Sequence, residues 1–520
     1  MLAVSASVPP ASPAIDIVQA LRRTLDPPVE LHETHGSWVL VGGDRALKVK
    51  KPVVMPFLDY ATLERHREAC AAEVEVNRRL APDVYLGVAA IVPAPCGVEL
   101  APAGDPRAVE YAVRMRRYAE ADTLAARVAR GAATPGDLER VGVRLARFHA
   151  EAEPAGDGAG AEPVKRWLDD THASLRDLLP SWPERALVAR SERFAAAFLT
   201  AHWDELDARA RAGRVRDGHG DLRAEHVVLE GGAILVVDGI EFDPALRRID
   251  VGCDLAFLTM DLEAAGRGDL ARRLVVAYRD AGGDPGEDEL LSWLAGYRAL
   301  VRAKVALLRA GQQADGEREA SRAKASRLLR LAERLEWRAR GPVTIAVAGL
   351  AASGKSTLAV ALAERSGLPQ FSADVVRKQQ AGLAPTARAA ATDYAPERNA
   401  AVYSELGRRA AAAPEGAIVD ATFRAAVARD GFRRAHGSGR DVVHVECVAP
   451  LAVRLGRARE READTARVSD AGAAVAARQL MEPMDEVPAA RHVTVRGDDA
   501  LPAQLGAVAD ALDRVLLASG

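Results

Sequence analysis

The feature that most constrains this chain of 520 residues is a glycine-rich loop between an apolar run and a helical run. The segment Gly349-Leu-Ala-Ala-Ser353-Gly354-Lys355-Ser356 fits G-x-x-x-x-G-K-[ST], follows VTIAVAG and precedes TLAVALAER. Glycines let such a loop curve around phosphate oxygens, while N–H groups at the helix start point at the charge. The loop therefore predicts a parallel α/β domain that binds a nucleoside triphosphate.

The loop also predicts the roles of its side chains. We expect Lys355 to reach the β- and γ-phosphates of ATP and the Ser356 hydroxyl to hold Mg²⁺. Backbone groups of the remaining nucleotide-binding residues would cradle the phosphates, and these residues are Gly349, Ser353, Gly354 and Thr357. The alternative is an ordinary strand–helix turn with a surface lysine.

Acidic residues follow two of the predicted strands in this half. Asp374, in FSADVVRK, is predicted to be a catalytic base for an attacking hydroxyl, with Arg377 and Lys378 neutralising phosphate charge. Asp420 closes the run AIVD and is predicted to hold Mg²⁺ or substrate at the same sheet edge. Otherwise Asp374 caps a helix and Asp420 is a turn residue.

The segment 343–520 resembles small P-loop kinases of the gluconokinase, polynucleotide 5′-kinase and zeta-toxin kind. The resemblance lies in GLAASGKST, the D-x-x-R spacing, the strand end DATF and an arginine-rich stretch before Val468-Ser-Asp470. It implies transfer of the ATP γ-phosphate to an alcohol. The arginines of that stretch would close as a lid over the phosphates or form a charged helix face, and they are Arg454, Arg457, Arg459 and Arg461.

A second set of acidic residues lies at 217–254, in HGDLRAEHVVL and AILVVDG. Asp221 has the spacing of a catalytic base, His226 that of a metal ligand five residues on, and Asp238 that of a metal-binding carboxylate at a strand end. The alternative is a hairpin with an exposed polar loop. In that case Asp250 and Asp254 are ordinary acids at a helix start.

With these residues, the region of about 30–310 resembles the aminoglycoside phosphotransferase-like, protein-kinase-like fold. The resemblance implies that Lys48 binds the ATP phosphates and that Glu73 orients it, with Lys50 as an alternative to Lys48. His226 stands where the family has Asn, and Mg²⁺ prefers oxygen ligands. Either another carboxylate such as Glu241 compensates, or this half is a pseudokinase.

The fold prediction is an N-terminal α+β, protein-kinase-like bilobal domain and a C-terminal α/β P-loop domain whose parallel sheet is flanked by helices. The predicted boundaries are a loose segment at 1–25, the kinase-like domain at 26–311, a charged, solvated helical linker at 312–341 and the P-loop domain at 342–520. A formal net charge of −3 gives no reason to favour nucleic acid as a partner. Four scattered cysteines and no long apolar run predict a cytoplasmic protein without a membrane segment.

The function predicted from these features is a bifunctional ATP-dependent kinase acting on small hydroxyl compounds of the sugar, aminocyclitol or polyol class. One alternative keeps only the P-loop half catalytic, on a sugar acid or a polynucleotide 5′-hydroxyl, beside a regulatory pseudokinase. Another is an ATP-dependent switch that binds a protein. No local motif encodes the acceptor or the oligomeric state, because pocket walls come from scattered side chains.

Overall fold

The computed structural model describes residues 13–34, 36–55, 58–156, 159–180, 184–384, 386–437, 439–462 and 471–516. The chain forms two compact units. The N-terminal unit comprises residues 1–163 and 205–286, and the C-terminal unit comprises residues 164–204 and 287–520. Within the described ranges, no helix combines the length and the apolar character needed to cross a bilayer.

Strands and helices both occur in each unit, and their bounds follow in chain order. The strands are β1 (Glu30–Glu33), β2 (Ser37–Gly42), β3 (Arg45–Lys50), β4 (Val54–Met55), β5 (Leu58–Asp59), β6 (Tyr85–Ala94), β7 (Gly97–Pro102), β8 (Glu110–Arg116), β9 (Val215–Asp217), β10 (Val227–Glu230), β11 (Ala233–Val236), β12 (Arg248–Asp250), β13 (Val343–Ala348), β14 (Gln370–Ser372), β15 (Gly416–Asp420), β16 (Asp441–Val448) and β17 (His492–Arg496). The helices are α1 (Pro13–Leu21), α2 (Leu63–Arg78), α3 (Leu124–Ala129), α4 (Pro135–Glu151), α5 (Ala161–Leu178), α6 (Arg185–Ala201), α7 (Trp203–Arg211), α8 (Val251–Ala264), α9 (Gly268–Asp280), α10 (Asp288–Gln312), α11 (Asp315–Ala339), α12 (Lys355–Ser366), α13 (Ala373–Gln380), α14 (Pro396–Ala412), α15 (Ala426–His436), α16 (Leu451–Glu462), α17 (Ala473–Arg478) and α18 (Leu501–Leu516).

The N-terminal unit is built on an antiparallel sheet in the order β1-β2-β3-β8-β6-β7. Alternation along β3 sorts its side chains between the two faces of this sheet. Leu47 and Val49 pack on the face that α1 covers. Lys48 and Lys50 point to the other face, where both reach Glu73 of α2. This antiparallel sheet with its helices confirms the α+β fold predicted for this half of the chain.

The prediction of a loose segment at 1–25 is wrong for its described part. Helix α1 buries Val18 and Leu21 completely, and Leu25 follows them into the core. The spacing of three between Val18 and Leu21 places both on one helix face, which covers the sheet.

The C-terminal unit is built on a parallel sheet in the order β14-β15-β13-β16-β17. Both faces of β13 are buried, as a parallel sheet between helices requires. Ile345 and Val347 pack with α12 and α18 on one face. Ala346 and Ala348 pack with α14 and α15 on the other. The predicted α/β fold, with a parallel sheet flanked by helices, is therefore confirmed.

The compact units do not follow the predicted boundaries at 311 and 342. Helices α6, α10 and α11 lie in the same unit as the parallel sheet. Aromatic packing joins them, since the ring centroids of Phe198 and Trp293 are 4.8 Å apart and the Arg340 guanidinium lies 4.1 Å from the Phe194 ring. The predicted linker helix exists as α11, but it is not solvated throughout, because it buries Leu328, Leu331, Leu335 and Trp337.

Burial of α11 also produces a pH-sensitive group. Glu336 is buried, which raises the pKa of its carboxyl to about 7, although the Ser191 hydroxyl and Arg340 favour the charged form. Glu333 and Asp513 contribute to this increase in the pKa. Because the pKa of Glu336 exceeds its ordinary value of 4.5, the folded state binds the extra proton between these two pH values.

We therefore expect the free energy of unfolding of the C-terminal unit to fall as pH rises from about 4.5 to 7, by about 3 kcal/mol at ~1.4 kcal/mol per pH unit. Glu336→Gln should remove this contribution, because an amide does not titrate. Urea unfolding at about pH 5 and pH 8 measures it. The control is Glu319→Gln, an exposed position on α11, which should leave the slope unchanged. An unaltered slope in Glu336→Gln would contradict the assignment.

Two candidate nucleotide sites

The backbone of the glycine-rich loop in the C-terminal unit has the sharp curvature that phosphate binding needs. Gly349, Ala352 and Gly354 have φ values of +151°, +64° and +104°, and α12 begins immediately afterwards at Lys355. A Cβ atom on Gly349 would lie 2.5 Å from Ser353 Oγ. Glycine is therefore required at this position both for its backbone conformation and for the close approach.

Residues from distant elements hold this loop in shape. Arg457 of α16 donates from Nη2 to the carbonyl oxygen of Gly497 at 3.0 Å and from Nη1 to that of Ser353 at 3.5 Å. The Ala351 N–H donates to Oε1 of Gln479 at 2.7 Å. The sequence pattern gave no indication of Gln479 and suggested a lid role for Arg457.

The other three predicted lid arginines differ from one another in their surroundings. Arg454 is buried and donates to the carbonyl oxygen of Ala476 at 2.6 Å. Arg459 is exposed. The side chain of Arg461 and the residues 463–470, which include the predicted Val468-Ser-Asp470, lie outside the described residues. In this structure the side chains of Arg454 and Arg457 therefore donate hydrogen bonds to backbone carbonyl oxygens.

Carboxylates and the loop side chains meet at the carboxyl edge of the parallel sheet. Asp420 ends β15 beside Ser372, the last residue of β14. Burial raises the pKa of Asp420, while the charge of Lys355 and a hydrogen bond from the Ser356 hydroxyl lower it, and Asp374 raises it. The structure thus brings together Lys355, Ser356, Asp374 and Asp420, as the strand ends predicted.

Asp374 lies in the first turn of α13, and the N-cap residue of this helix is Ser372 rather than Asp374. It accepts from Nη1 of Arg377 at 3.0 Å, and Nη2 of the same arginine donates to Oδ1 of Asn399 at 2.7 Å. The guanidinium also lies 4.4 Å from the centroid of the Tyr394 ring. Arg377 therefore fixes the position of the candidate base, and Lys378 beside it is buried.

Two buried oxygen atoms in this site have no hydrogen-bond partner among the described residues, Ser353 Oγ and Asp420 Oδ1. Buried polar atoms are normally paired, so both point to a ligand. Mg²⁺ binds protein oxygen atoms together with substrate phosphates. The residues therefore fit Mg²⁺ with ATP: Ser356 and Asp420 would hold the ion, and the loop N–H groups with Lys355 would hold the phosphates.

We expect Arg457→Ala to weaken ATP binding to the C-terminal unit by about 10- to 100-fold, because a lost charged hydrogen bond costs roughly 1.5–3 kcal/mol and the loop would lose a contact that holds its shape. Arg459→Ala, two positions on along α16 and exposed, is the control and should bind ATP as the wild type does. Isothermal titration with a non-hydrolysable ATP analogue measures both affinities. Equal affinities in the two variants would mean that the contact of Arg457 with Ser353 does not shape the loop.

In the N-terminal unit, two lysines of β3 share one carboxylate. Lys48 Nζ lies 2.8 Å from Glu73 Oε1 and 2.7 Å from Asp238 Oδ1. Lys50 Nζ lies 2.6 Å from Glu73 Oε2 and 2.5 Å from Glu241 Oε1. The side chain of Lys48 is 13% exposed and that of Lys50 only 1%. Lys48 is thus the lysine that faces Asp238, while Lys50 is enclosed behind it.

These ion pairs keep the groups charged despite burial. Burial opposes the charged form of Lys48, but Asp238 and Glu73 outweigh it and raise the pKa of this lysine. The charge of Lys48 in turn holds the pKa of Asp238, whose side chain is 48% exposed, far below its ordinary value. Both groups are therefore ionised across the physiological range.

The backbone at Asp238 is held in an uncommon conformation, with φ of +63°. Its N–H donates to the hydroxyl of Tyr85 at 3.0 Å, and the N–H of Gly239 donates to Oδ1 of Asn77 at 2.8 Å. A strained backbone conformation of this kind persists only where neighbouring groups hold it in place, commonly at functional sites. Tyr85 and Asn77 therefore position Asp238, a role that no sequence pattern indicated.

Asp254 organises the loop that carries Asp221. Its Oδ2 accepts from the N–H of His219 at 2.7 Å, and its Oδ1 accepts from the N–H of Gly220 at 3.0 Å. His149 of α4 lies 3.2 Å from the same carboxylate. Although burial opposes it, these contacts lower the pKa of Asp254. The interpretation of Asp254 as an ordinary helix-start acid is therefore wrong, whereas Asp250 does cap α8 by accepting from the Gly252 N–H.

Asp221 and His226 face a common arginine. Nε of Arg223 lies 2.9 Å from Asp221 Oδ2, and its Nη2 lies 2.8 Å from His226 Nε2. Burial lowers the pKa of His226, so the imidazole is neutral at pH 7. Asp238 fits a single Mg²⁺ bound with substrate phosphates, but His226 does not fit the predicted role of metal ligand, because Arg223 already occupies its Nε2.

Comparisons with known proteins give the chain a family. It is 33% identical over 473 residues to Uncharacterized protein Rv2004c of Mycobacterium tuberculosis (strain ATCC 25618 / H37Rv), covering 88% of this chain and 91% of the relative. The same figures apply to Uncharacterized protein Mb2027c of Mycobacterium bovis. The chain belongs to the family of these mycobacterial proteins. Members of this family share nearly the whole length of the chain, so both units belong to it.

The family model AAA_33, an AAA domain, matches residues 345–483 and so covers the glycine-rich loop, Asp374 and Asp420. Among solved structures, a gluconokinase from Sinorhizobium meliloti 1021 matches with a TM-score of 0.26 and 23% identity, covering 34% of this chain and 95% of its own. A choline/ethanolamine kinase family protein from Mesorhizobium loti matches with a TM-score of 0.37 and 16% identity, covering 61% and 99%. The match of the family model over residues 345–483 confirms the predicted P-loop domain.

Proposed function

We propose that the protein is a bifunctional ATP-dependent phosphotransferase, in which each unit moves the γ-phosphate of ATP to a hydroxyl group of a small molecule. The observation that carries this proposal is common to both units, a lysine at one carboxylate and a second carboxylate held by an arginine. Lys48 pairs with Asp238, and Arg223 contacts Asp221. The charges of Lys355 and Asp374 both act on Asp420, and Arg377 contacts Asp374. A hydroxyl acceptor needs both, a cation for the phosphates and a base for its proton.

The chemistry is the same in each unit. The acceptor hydroxyl oxygen attacks the γ-phosphorus, its proton passes to Asp221 or Asp374, and ADP leaves as the bond to its terminal oxygen breaks. Lys48 and Lys355 bind the transferring phosphate and stabilise the charge that develops on it. Mg²⁺, when bound, supplies further neutralisation of the phosphate charge. Arg223 holds the candidate base Asp221 in position, and Arg377 does the same for Asp374.

The acceptors we propose are sugars, aminocyclitols or polyols. The guanidinium of Arg377 at Asp374 suits an acceptor that carries negative charge as well as hydroxyl groups, such as a sugar acid, in the C-terminal unit. ATP and Mg²⁺ would bind in both units.

ADP release tests the proposal, with ATP and Mg²⁺ over a panel of sugars, aminoglycosides, polyols, sugar acids and 5′-hydroxyl oligonucleotides. Asp221→Asn and Asp374→Asn should each abolish turnover of a different acceptor. The controls are two exposed aspartates, Asp269→Asn and Asp485→Asn, which should retain full turnover. If Asp374→Asn removes all turnover and Asp221→Asn removes none, the N-terminal unit is a regulatory pseudokinase and the bifunctional proposal is wrong.

A further inference from the structure

The loop from Asp221 to His226 contains a positively charged side chain, that of Arg223. Arg223 is 20% exposed, and its guanidinium contacts three side chains. Its Nε donates to Asp221 Oδ2 at 2.9 Å, its Nη2 donates to His226 Nε2 at 2.8 Å, and its Nη1 pairs with Glu225. A guanidinium has five N–H groups, and Nη1 keeps one beyond the contact with Glu225.

The contacts of His226 leave its ring no lone pair for a metal ion. Its Nδ1 lies 2.8 Å from the carbonyl oxygen of Asp221, which only accepts, so Nδ1 carries the proton. The remaining lone pair, on Nε2, accepts from Arg223, which only donates. The side chain is 8% exposed, so the ring is enclosed between these partners.

The guanidinium of Arg223 therefore lies where a second cation would be needed. His226 Nε2 is 3.6 Å from Asp238 Oδ2, and its Nδ1 is 3.7 Å from Asp221 Oδ2. A kinase-type site with two metal ions uses a ligand at the position of His226 together with the carboxylate at the position of Asp238. In this chain the guanidinium of Arg223 contacts His226 at the first of these positions. At the other position, Asp238 provides the carboxylate.

We propose that Arg223 supplies the positive charge that a second divalent cation would supply, so that the N-terminal site binds ATP with one metal ion, held by Asp238. This inference rests on the proposed function of that site. The planar guanidinium matches the geometry of phosphate oxygens and cannot be deprotonated, so it neutralises phosphate charge as a fixed part of the protein. Its contact with Asp221 also places the charge beside the base.

Metal counting tests the inference without any turnover. Mn²⁺ bound per full-length chain would be measured by electron paramagnetic resonance in saturating non-hydrolysable ATP analogue, for four proteins that share an unaltered C-terminal unit. These are the wild type, Asp238→Asn, Arg223→Lys and the double variant Arg223→Ala/His226→Asn. Circular dichroism confirms that each is folded.

Relative to the wild type, Asp238→Asn should bind one Mn²⁺ fewer, Arg223→Lys the same number, and the double variant one more. The gain is expected because an asparagine oxygen and an unpaired Asp221 would be free to bind the ion. A loss of two ions in Asp238→Asn, or no gain in the double variant, would overturn the inference while leaving the phosphotransferase proposal intact. If Asp238→Asn loses no ion, the N-terminal site holds no metal–nucleotide complex, and the proposed function of this unit fails with the inference.

Discussion

Replacing Lys50 with methionine is expected to lower the free energy of unfolding of the N-terminal unit by about 3–5 kcal/mol, because removing one member of a buried ion pair leaves an uncompensated charge. Lys50 bridges Glu73 and Glu241, and both Lys50 and Glu73 are almost fully enclosed. Methionine fills a similar volume but cannot neutralise either carboxylate. Hydrogen exchange of the β3 and α2 amides isolates the stability of this unit from that of the other.

The neighbouring lysine provides the matched control. Lys51 pairs with Glu33, whose side chain is 66% exposed, so Lys51→Met should cost less than about 1 kcal/mol. The double variant Lys50→Met/Glu241→Gln should recover part of the loss, because it removes the charge of the carboxylate that Lys50 neutralised, whereas Glu73 keeps its contact with Lys48. Equal protection of the β3 amides in Lys50→Met and Lys51→Met would show that the buried carboxylates do not depend on Lys50.

The second large effect concerns Lys355. Lys355→Ala should reduce turnover in the C-terminal unit by roughly 10²–10³-fold, the usual cost of removing one preorganised group that stabilises transition-state charge. Its charge also acts on Asp420, so the variant should raise the pKa of that carboxyl further, and proton release on binding of the Mg²⁺–nucleotide complex should increase. Initial rates of ADP formation and calorimetric titration in two buffers measure the two effects.

Lys324→Ala, an exposed lysine on α11 in the same unit, is the control for Lys355→Ala and should keep full turnover. Turnover that persists within a factor of two in Lys355→Ala would exclude the glycine-rich loop as the site of phosphate transfer.

The parts of the molecule that the sequence predicted best are those whose cause is local. The loop from Gly349 to Ser356 needs glycines at fixed positions between one strand and one helix, and every one of these requirements is visible within a dozen residues. The carboxyl edge of a parallel sheet collects strand ends, which is why Asp374 and Asp420 could be placed together before the structure was known. Lys48 and Glu73 followed from resemblance to a family.

The parts that escaped prediction depend on side chains that bind distant backbone groups. Gln479 accepts from the Ala351 N–H and Asp254 from the His219 N–H. Every residue except proline has a backbone N–H, so the sequence does not show which N–H group a distant side chain will bind. Neither contact therefore produces a recognisable residue spacing. Helix α11 differs, since Leu328, Leu331 and Leu335 do recur at spacings of three and four, but the surrounding charged residues hid that apolar face.

The interrupted path of the chain through the C-terminal unit has a consequence for its biosynthesis. Residues 164–204 belong to this unit, but the residues that complete it begin only at 287. During translation, the N-terminal unit has all of its chain once residue 286 has emerged, whereas Phe198 must wait for Trp293 before these two rings can stack. A ribosome-bound chain therefore carries the apolar face of α6 uncovered for about ninety codons, and that interval is where a chaperone would bind.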